Sequence, residues 1–477
     1  MNKKSDYSKF YNHSFFVHSF DIIKLVTLIE RSIMHDDIIA QNLNYLDKKL
    51  IIDNKKDLFQ IINGVKYRVI YVSREFEKVI CPVCGSVVSK IKDYHLRKVK
   101  VFFNYDYPTL LFYKQRRLQC DCGKTINENN TFIEKGKTIS NYLKLQILKQ
   151  CKYKESFTTI AQQLGVNTST VINTFMESAN FKRREFTEVL CVDEFSAHIN
   201  PNNTFACIIG DPESKEILDI LPSRHQSYLE NYLSKIDKNE RIKVKIINID
   251  MWKPYRSSFS AYFPFAKICV DPFHWIRKAT DCFNKLRVDI AKHTSDTKLS
   301  RLLFSYWKSI CKNEVRLYNN KRYNSILQSY VSEREIVEYC INSDLIIEHA
   351  WLVLQRIYKF RDKCNKNNCK DELASIISEL KSIDNDYIKS IAVTYEEWFT
   401  EICNSFETYG KYNSRCSNAF SEGKNRLCKE IKAFSCGFQN FDIYRARILY
   451  ISAKTPIPFS TIDPRRKVFK KSRKHKK

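Results

Sequence analysis

The sequence predicts a multidomain α/β protein, and three changes of pattern along its 477 residues predict this fold class. Short β-type runs bracketed by cysteine pairs come first, at 64–122. Three helical patterns follow at 140–180, and strands alternate with helices from residue 187 onward. A long helical stretch, 295–415, interrupts this last part. We therefore expect a small β domain, an all-α domain, and an α/β domain interrupted by an all-α insertion.

Three flanking or connecting segments carry less information. Residues 1–63 form an N-terminal extension of unknown role. Residues 123–139 are polar, and we predict a linker there. Residues 456–477 form a basic tail that we expect to be disordered in isolation.

The charge of the chain points to a polyanionic partner. Its formal net charge is +27, from 80 Lys and Arg residues against 53 Asp and Glu residues. Such an excess favours nucleic acid over an anionic membrane surface as the partner. No apolar stretch approaches the roughly 20 residues of a membrane span, and the start of the chain lacks the apolar region of a signal peptide. We expect a cytoplasmic protein whose 17 cysteines stay mostly reduced.

Two cysteine pairs in the β block have the spacing of metal ligands. The first is Cys81-Pro-Val-Cys84-Gly and the second is Cys120-Asp-Cys122-Gly. Thiolates so close in sequence reach one tetrahedral ion, so we predict one structural Zn²⁺ bound by these four cysteines. Ordinary buried thiols are the alternative reading, and His95 is an alternative ligand. Four thiolates would leave no open coordination position for chemistry.

Residues 155–177 have the pattern of a helix-turn-helix. Ile160, Ala161 and Leu164 place apolar groups on one face of a short helix, and Gly165 suits the positive φ of a tight turn. The next helix presents polar side chains near its start. In the major groove of DNA these would be the recognition residues, namely Thr168, Ser169, Thr170 and Asn173. An ordinary helical hairpin is the alternative.

Three acidic residues stand where metal-dependent phosphoryl transfer would use them. Asp193 lies within the apolar run Val-Leu-Cys-Val-Asp-Glu-Phe, and Asp250 closes a second run, Val-Lys-Ile-Ile-Asn-Ile-Asp. Glu422 begins a helical pattern. Carboxylates at strand ends and at a helix start can converge on two Mg²⁺ ions, which clamp the attacking and leaving oxygens. We predict that these three residues are both catalytic residues and magnesium ligands.

Asp271 and His274 form a possible additional site. Asp271 also ends a strand-like run, in Val-Asp-Pro-Phe-His-Trp, and His274 follows it by three positions. Helix capping is the alternative role for Asp271. Asp211 lies in a predicted hairpin turn and is assigned a structural role.

Six motifs together resemble a known family. In chain order they are Cys-Pro-Val-Cys-Gly, the helix-turn-helix, Val-Asp-Glu-Phe, Ile-Asp-Met-Trp-Lys-Pro-Tyr, Val-Asp-Pro-Phe-His and Ser-Asn-Ala-Phe-Ser-Glu-Gly-Lys-Asn. This set resembles the ISL-three-type bacterial insertion-sequence transposases over residues 75–455. The sequence departs from the family pattern at Ala419, where a glycine is expected, and in its N-terminal extension and second cysteine pair.

The resemblance implies a fold and an activity. It implies a ribonuclease-H-like catalytic domain built from 187–294 and 416–455, with the helical insertion between the second and third acids of a DDE triad. It implies Mg²⁺-dependent cleavage and transfer of DNA strands by an oligomer bound to terminal inverted repeats and target DNA, in the bacterial nucleoid. The alternatives are a transposase-derived DNA-binding regulator without catalysis, and a structure-specific nuclease of the same fold.

Overall fold

A computed structural model describes residues 43, 46–53, 58–62, 64–101, 107–178, 182–200, 203–411, 413–417 and 419–453. Most of the N-terminal extension and all of the basic tail lie outside the described residues. The chain divides near residue 180 into two compact units, here called unit 1 and unit 2. None of the described helices combines the length and the apolar character that a membrane crossing requires.

Unit 1 begins with a six-stranded sheet and a small hairpin. The strands are β1 (Leu50–Ile52), β2 (Leu58–Ile62), β3 (Val65–Arg74), β4 (Val79–Ile80), β5 (Val87–Val88), β6 (Ile91–Val101), β7 (Thr109–Gln119) and β8 (Thr125–Asn127). The sheet has the order β1-β3-β7-β6, with β2 also paired to β3 and β8 to β7, while β4 and β5 pair with each other. Because β6 and β7 are both eleven residues long, they form an extended antiparallel ribbon.

One face of this sheet is covered by a segment that the sequence did not identify as structured. Phe132 and Ile133 are buried in the same cluster as Val99, Leu111 and Tyr113. The prediction of a linker at 123–139 was therefore wrong. Isolated apolar residues in a polar run give no periodic signal, although each one buries substantial apolar area.

Three helices complete unit 1: α1 (Asn141–Gln150), α2 (Phe157–Gln163) and α3 (Thr168–Ser178). Serine hydroxyls cap the first two, since Ser140 accepts from the backbone N–H of Leu143 and Ser156 from that of Thr159. Gly165, between α2 and α3, has a φ of +63°. A Cβ at this position would also overlap Pro108, so both the conformation and the space favour glycine.

Unit 2 is built on a five-stranded mixed sheet. Its strands are β9 (Val189–Asn200), β10 (Asn203–Asp211), β11 (Glu216–Leu221), β12 (Ile246–Ile249) and β13 (Lys267–Val270), in the order β11-β10-β9-β12-β13. The first three are antiparallel, and β9, β12 and β13 are mutually parallel. The parallel strands are almost wholly buried, as expected for a sheet covered on both faces.

Helices cover both faces of this sheet and form the insertion. They are α4 (Gln226–Ser234), α5 (Lys238–Ile242), α6 (Lys253–Tyr262), α7 (Pro272–His293), α8 (Thr297–Ser305), α9 (Trp307–Ile310), α10 (Glu333–Ile341), α11 (Leu345–Lys363), α12 (Cys369–Ser382), α13 (Asp386–Glu397), α14 (Phe399–Asn404), α15 (Ala419–Phe434) and α16 (Phe441–Ser452). One face packs on α4, α6 and α7 and is continuous with the core of the insertion, while α15 and α16 cover the other.

The insertion differs from its sequence prediction in two respects. It is not purely helical, because β14 (Arg322–Asn324) pairs with β15 (Ser329–Val331) and β16 (Thr408–Tyr409) pairs with β17 (Ser414–Arg415). Trp307, Trp351 and Trp398 stand in helical patterns of this stretch, which predicts a core position for each; Trp351 and Trp398 are buried, but Trp307 is 44% exposed. At the level of fold class, the predicted mixed α/β multidomain architecture is confirmed.

Candidate functional site

The candidate site lies at the carboxyl ends of β12 and β13 of unit 2, beside the middle of the parallel strand β9. Strand β12 pairs with β9 so that Asn248 lies opposite Cys191, and continuing this register by two residues places Asp250 beside Asp193. The pairing of Ile249 with Val270 likewise places Asp271 next to Asp250. Three aspartates therefore follow one another across neighbouring strands, at the usual 4.8 Å spacing of a sheet.

Asp193 is a buried carboxyl group, and burial disfavours its charged form. It is 7% exposed. Burial, and then the neighbouring charge of Asp250, raise the pKa of Asp193 from its usual 3.8 to about 7. Two hydrogen bonds hold it in place: the N–H of Glu194 donates to Oδ1 at 2.6 Å, and the side-chain amide of Asn425 donates to Oδ2 at 2.8 Å.

Asp250 is held from its other side by His274. The Nε2 of His274 lies 3.0 Å from Oδ1 of Asp250. Burial alone would lower the pKa of His274, but the hydrogen bond and charge of Asp250 outweigh burial, so the net shift is upward. Asp271 also caps α7, because its Oδ1 accepts from the N–H of Phe273 at 3.1 Å. Asp271 thus both caps α7 and lies next to Asp250.

Glu422 approaches the strands from helix α15. It is exposed in the first turn, and Asn425 follows it by three residues, so the two share one side of the helix. Phe420 packs the start of α15 against the sheet, because its ring lies against Gly210 of β10. A Cβ on Gly210 would overlap that ring. This close approach of helix and strand depends on one of only nine glycines in the chain.

Arg224 contacts residues that neighbour the first two acids in the chain. The guanidinium carbon of Arg224 lies 4.4 Å from the ring centre of Phe205 and 4.9 Å from that of Trp252, which follows Asp250 by two positions. The same guanidinium forms an ion pair with Glu194. Arg224 is therefore a cation held by aromatic and ionic contacts to residues that neighbour Asp193 and Asp250 in the chain.

The carboxylates of the three predicted catalytic acids do not form one compact group. Asp193 and Asp250 interact directly, whereas Glu422 lies on the facing helix. In the part of the chain that the structure describes, only the four predicted zinc ligands form a group of three or more potential ligands whose ligand atoms all lie within 4.8 Å of one another.

The geometry of the four cysteines suits a tetrahedral ion. The Sγ atoms of Cys81 and Cys122 are 3.7 Å apart and those of Cys84 and Cys120 are 3.4 Å apart, which is far beyond a disulfide bond. Four sulfurs at the ~2.3 Å Zn–S distance would be about 3.8 Å apart. Hydrogen bonding with Ser86 lowers the pKa of Cys84 to about 6. His95 lies outside the group.

The four predicted DNA-contacting residues lie on the first two turns of α3. Ser169 and Asn173 are exposed, and Thr168 and Thr170 are half-buried. Thr170 and Asn173 also line a cleft of about 180 Å³, which lies beside the ion pair between Lys137 and Glu177.

Two residues described above were missed in the sequence: Asn425, which contacts Asp193, and Arg224, which pairs with Glu194. Asn425 had a usable signal, because it lies one helical turn after Glu422 in Ser-Glu-Gly-Lys-Asn. Arg224 had none, since nothing in its local sequence distinguishes it among 80 Lys and Arg residues.

Comparison with known proteins identifies the family. A family model described as Transposase, for DDE transposases of the ISL3 type, matches residues 190–448, which is more than half of the chain. The transposase for insertion sequence element IS1001 of Bordetella parapertussis is 23% identical over 238 residues; the alignment covers 49% of this chain and 58% of that relative. The resemblance inferred from the motifs is thereby confirmed, and the chain belongs to the ISL3-type family of DDE insertion-sequence transposases.

Proposed function

We propose that this protein cuts and joins DNA strands at the ends of an insertion sequence, with Asp193, Asp250 and Glu422 as its DDE triad. The observation that carries the proposal is the adjacency of Asp193 and Asp250 on parallel strands, faced by the helix that bears Glu422. A mixed five-stranded sheet with helices on both faces supports a ribonuclease-H-like domain formed by 187–294 and 416–455, with 295–415 inserted.

The residues present fit magnesium. Asp193 and Asp250 bring two carboxylates together at a partly desolvated site, where burial and the charge of Asp250 raise the pKa of Asp193. The Oδ1 of Asn425 is buried beside them and has no hydrogen-bond partner among the described residues. Carboxylate oxygens are the ligands that Mg²⁺ prefers. When bound, two Mg²⁺ ions would supply an activated nucleophile and stabilise the leaving oxygen.

The chain's own side chains have separate tasks in this proposal. Asn425 fixes the orientation of Asp193, and His274 fixes that of Asp250. Arg224, which contacts Phe205 and Trp252 and pairs with Glu194, is proposed to contact a DNA phosphate. Asp271, which is tied to the start of α7, has a supporting role.

DNA recognition is proposed to reside in unit 1. Residues 64–122 would form a zinc-binding domain and 140–180 a helix-turn-helix, which together bind the terminal inverted repeats. The exposed residues at the start of α3 would then contact base edges. We further propose that the protein acts as a homo-oligomer on DNA, in the bacterial cytoplasm and associated with the nucleoid.

The test is cleavage of a linear duplex that carries the repeats flanking the gene. Wild type should nick and join this DNA in Mg²⁺, whereas Asp193→Asn, Asp250→Asn and Glu422→Gln should lose cleavage and keep binding within a few-fold. Asp271→Asn should retain part of the activity. Asp281→Asn, at an exposed ion pair with Arg277, is the matched control.

Other outcomes would select other functions. Repeat binding by the wild type without any cleavage would indicate a DNA-binding regulator. Cleavage without joining would indicate a nuclease of the same fold. Full activity in any of the three triad variants would remove that residue from the catalytic set.

A further inference from the structure

The sheet of unit 1 carries an unusual concentration of positive charge. Its strands contain ten Lys and Arg residues, three on β3, four on β6 and three on β7, whereas Asp93 is their single acidic residue. Asp93 pairs with Arg117 at 2.5 Å. Most of the positive charge on these strands therefore has no acidic counterpart within the sheet.

Three of these lysines lie on one face, here called the lysine face: Lys98, Lys100 and Lys114. Lys98 and Lys100 are two residues apart on β6, so they share a face and are separated by about 6.7 Å. In the register of the ribbon Leu96 lies opposite Lys114 and Lys98 lies opposite Phe112, which places Lys114 diagonal to Lys98 on this face. The three residues form a row across both strands.

Aromatic rings, and not carboxylates, support these ammonium groups. The Nζ of Lys98 lies 5.3 Å from the ring centre of Phe112, and that of Lys114 lies 4.6 Å from the ring centre of Tyr94. The Nζ of Lys100 donates to the hydroxyl of Tyr67 at 3.4 Å and lies 5.5 Å from the centre of that ring. A cation–π contact orients an ammonium group but leaves its charge uncompensated. Among the described residues, no carboxylate forms an ion pair with any of the three.

Cations elsewhere in unit 1 contrast with this arrangement. Arg74 pairs with Asp47 at 2.8 Å, and Arg116 pairs with Glu128 at 3.0 Å. Such pairs stabilise the fold and cancel charge. The lysine face instead keeps its charge at an accessible surface, where Lys98 and Lys114 are exposed and the ring of Tyr94 is 50% exposed.

We propose that the lysine face is a docking surface for the phosphate backbone of double-stranded DNA, independent of base sequence. This inference rests on the proposed function, because it assigns a surface to DNA that the transposase must hold. DNA fits the row better than an acidic protein does, since one strand of a duplex presents a phosphate every ~3.4 Å along the axis. Three lysines in a row can then meet two or three phosphates at once.

The test is binding of the full-length protein to a 30-base-pair duplex of random sequence at several salt concentrations. The triple variant Lys98→Gln/Lys100→Gln/Lys114→Gln should bind roughly tenfold or more weakly near 0.1 M salt. The slope of log affinity against log salt should fall by roughly two to three, at about 0.9 per lost phosphate contact. The corresponding triple Lys→Arg variant keeps the charge and should bind like wild type.

A matched control removes the same charge elsewhere. Lys245, Lys381 and Lys389 are surface lysines that pair with Glu188, Glu396 and Asp384. Their triple Gln variant should keep the slope and most of the affinity. Lysine acetylation mapped on the wild-type protein gives a readout that does not depend on variants folding, because bound duplex should protect the three lysines of the face.

The possible failures are distinguishable. If wild type binds neither random nor repeat DNA, the proposed function and this inference both fall. If wild type binds, but the Gln variant keeps its slope and DNA leaves the three lysines open to acetylation, only the lysine face is wrong. Tighter binding of the face to anionic phosphatidylglycerol vesicles than to duplex would assign it to a membrane surface and overturn the inference.

Discussion

Asn425 donates a hydrogen bond of 2.8 Å to Asp193, a residue 232 positions earlier in the chain. The same amide group also lies 3.2 Å from the backbone oxygen of Glu194. This pair of contacts joins the first turns of α15 to the middle of β9. Because Glu422 lies one turn before Asn425, the contact also determines where the third acid stands relative to the first.

Replacing Asn425 by Ala should weaken magnesium use more than it weakens folding. The substitution removes the donor that orients Asp193, and the loss of such a supporting contact costs about 10–100-fold in metal affinity or activity. A titration of strand cleavage against Mg²⁺ should show a higher requirement for the metal. Arg277→Ala, at an exposed ion pair with Asp281, is the control. An unchanged Mg²⁺ requirement would show that Asn425 serves packing alone.

Gly210→Ala should displace α15. Its new methyl group overlaps the ring of Phe420, and overpacking of this kind costs about 1–3 kcal/mol. Thermal unfolding should report lower stability, and cleavage should fall because Glu422 moves. Combining Gly210→Ala with Phe420→Leu should restore part of the lost stability and part of the lost cleavage activity. Gly423→Ala in the same helix meets nothing within 4 Å and should be neutral or slightly stabilising. Additive effects in the double variant would argue against the contact.

Asp193→Asn should stabilise the magnesium-free protein in a pH-dependent way. Because burial raises the pKa of Asp193 to about 7, the folded state retains this proton between pH 4 and 7 where the unfolded chain releases it. Unfolding free energy therefore falls as pH rises through this window, by roughly 4 kcal/mol at most. The Asn variant does not lose this free energy of unfolding as the pH rises. In thermal unfolding without added divalent cations, its gain in stability over wild type should therefore be larger at pH 8 than at pH 5. An advantage that does not change with pH would contradict the raised pKa.

The cysteine group should hold one zinc per chain. Metal analysis of purified protein should find it, and Cys81→Ser or Cys120→Ser should lose it and unfold the 64–122 block, because zinc affinity in such small domains is folding energy. Cys436→Ser, at an exposed cysteine of unit 2, should keep the metal. Stoichiometric zinc in a double variant of Cys81 and Cys120 would exclude the assignment.

Asn173→Ala should reduce the preference for terminal repeats. An exposed Asn can pair with adenine through two hydrogen bonds in the major groove, so its loss should cost roughly 1–3 kcal/mol on repeat DNA and little on random DNA. Competition binding with both duplexes measures this difference. Gln162→Ala, exposed on α2, serves as the control. A retained preference for the repeats would move base recognition to the zinc-binding β domain.

The positions of the acids could be predicted from sequence because their signals are local. Asp250 closes an apolar run, which marks a buried strand and its carboxyl end, and Asp193 lies within a second apolar run that the parallel sheet brings alongside it. The four cysteines were equally accessible, since metal spacing is a property of a few neighbouring residues.

What escaped prediction depends on long-range contacts or very short elements. The ring of Phe420 packs against Gly210, and Arg224 contacts the rings of Phe205 and Trp252. These contacts join different elements of the fold, and no periodicity in the sequence encodes them. The hairpins within the insertion have strands of two or three residues, too short for an alternating pattern.

The long insertion between β13 and α15 has a consequence for synthesis. A ribosome completes unit 1 and both aspartate-bearing strands well before it reaches Asn425, so a nascent or prematurely terminated chain lacks Glu422. Domains generally fold as units during translation, N-terminal first. Under the proposed function, a transposase made in this order would acquire the DNA-binding surfaces of unit 1 before the complete set of three acids. Its truncated products would then occupy the same DNA ends without breaking them, and so act as inhibitors of the element that encodes them.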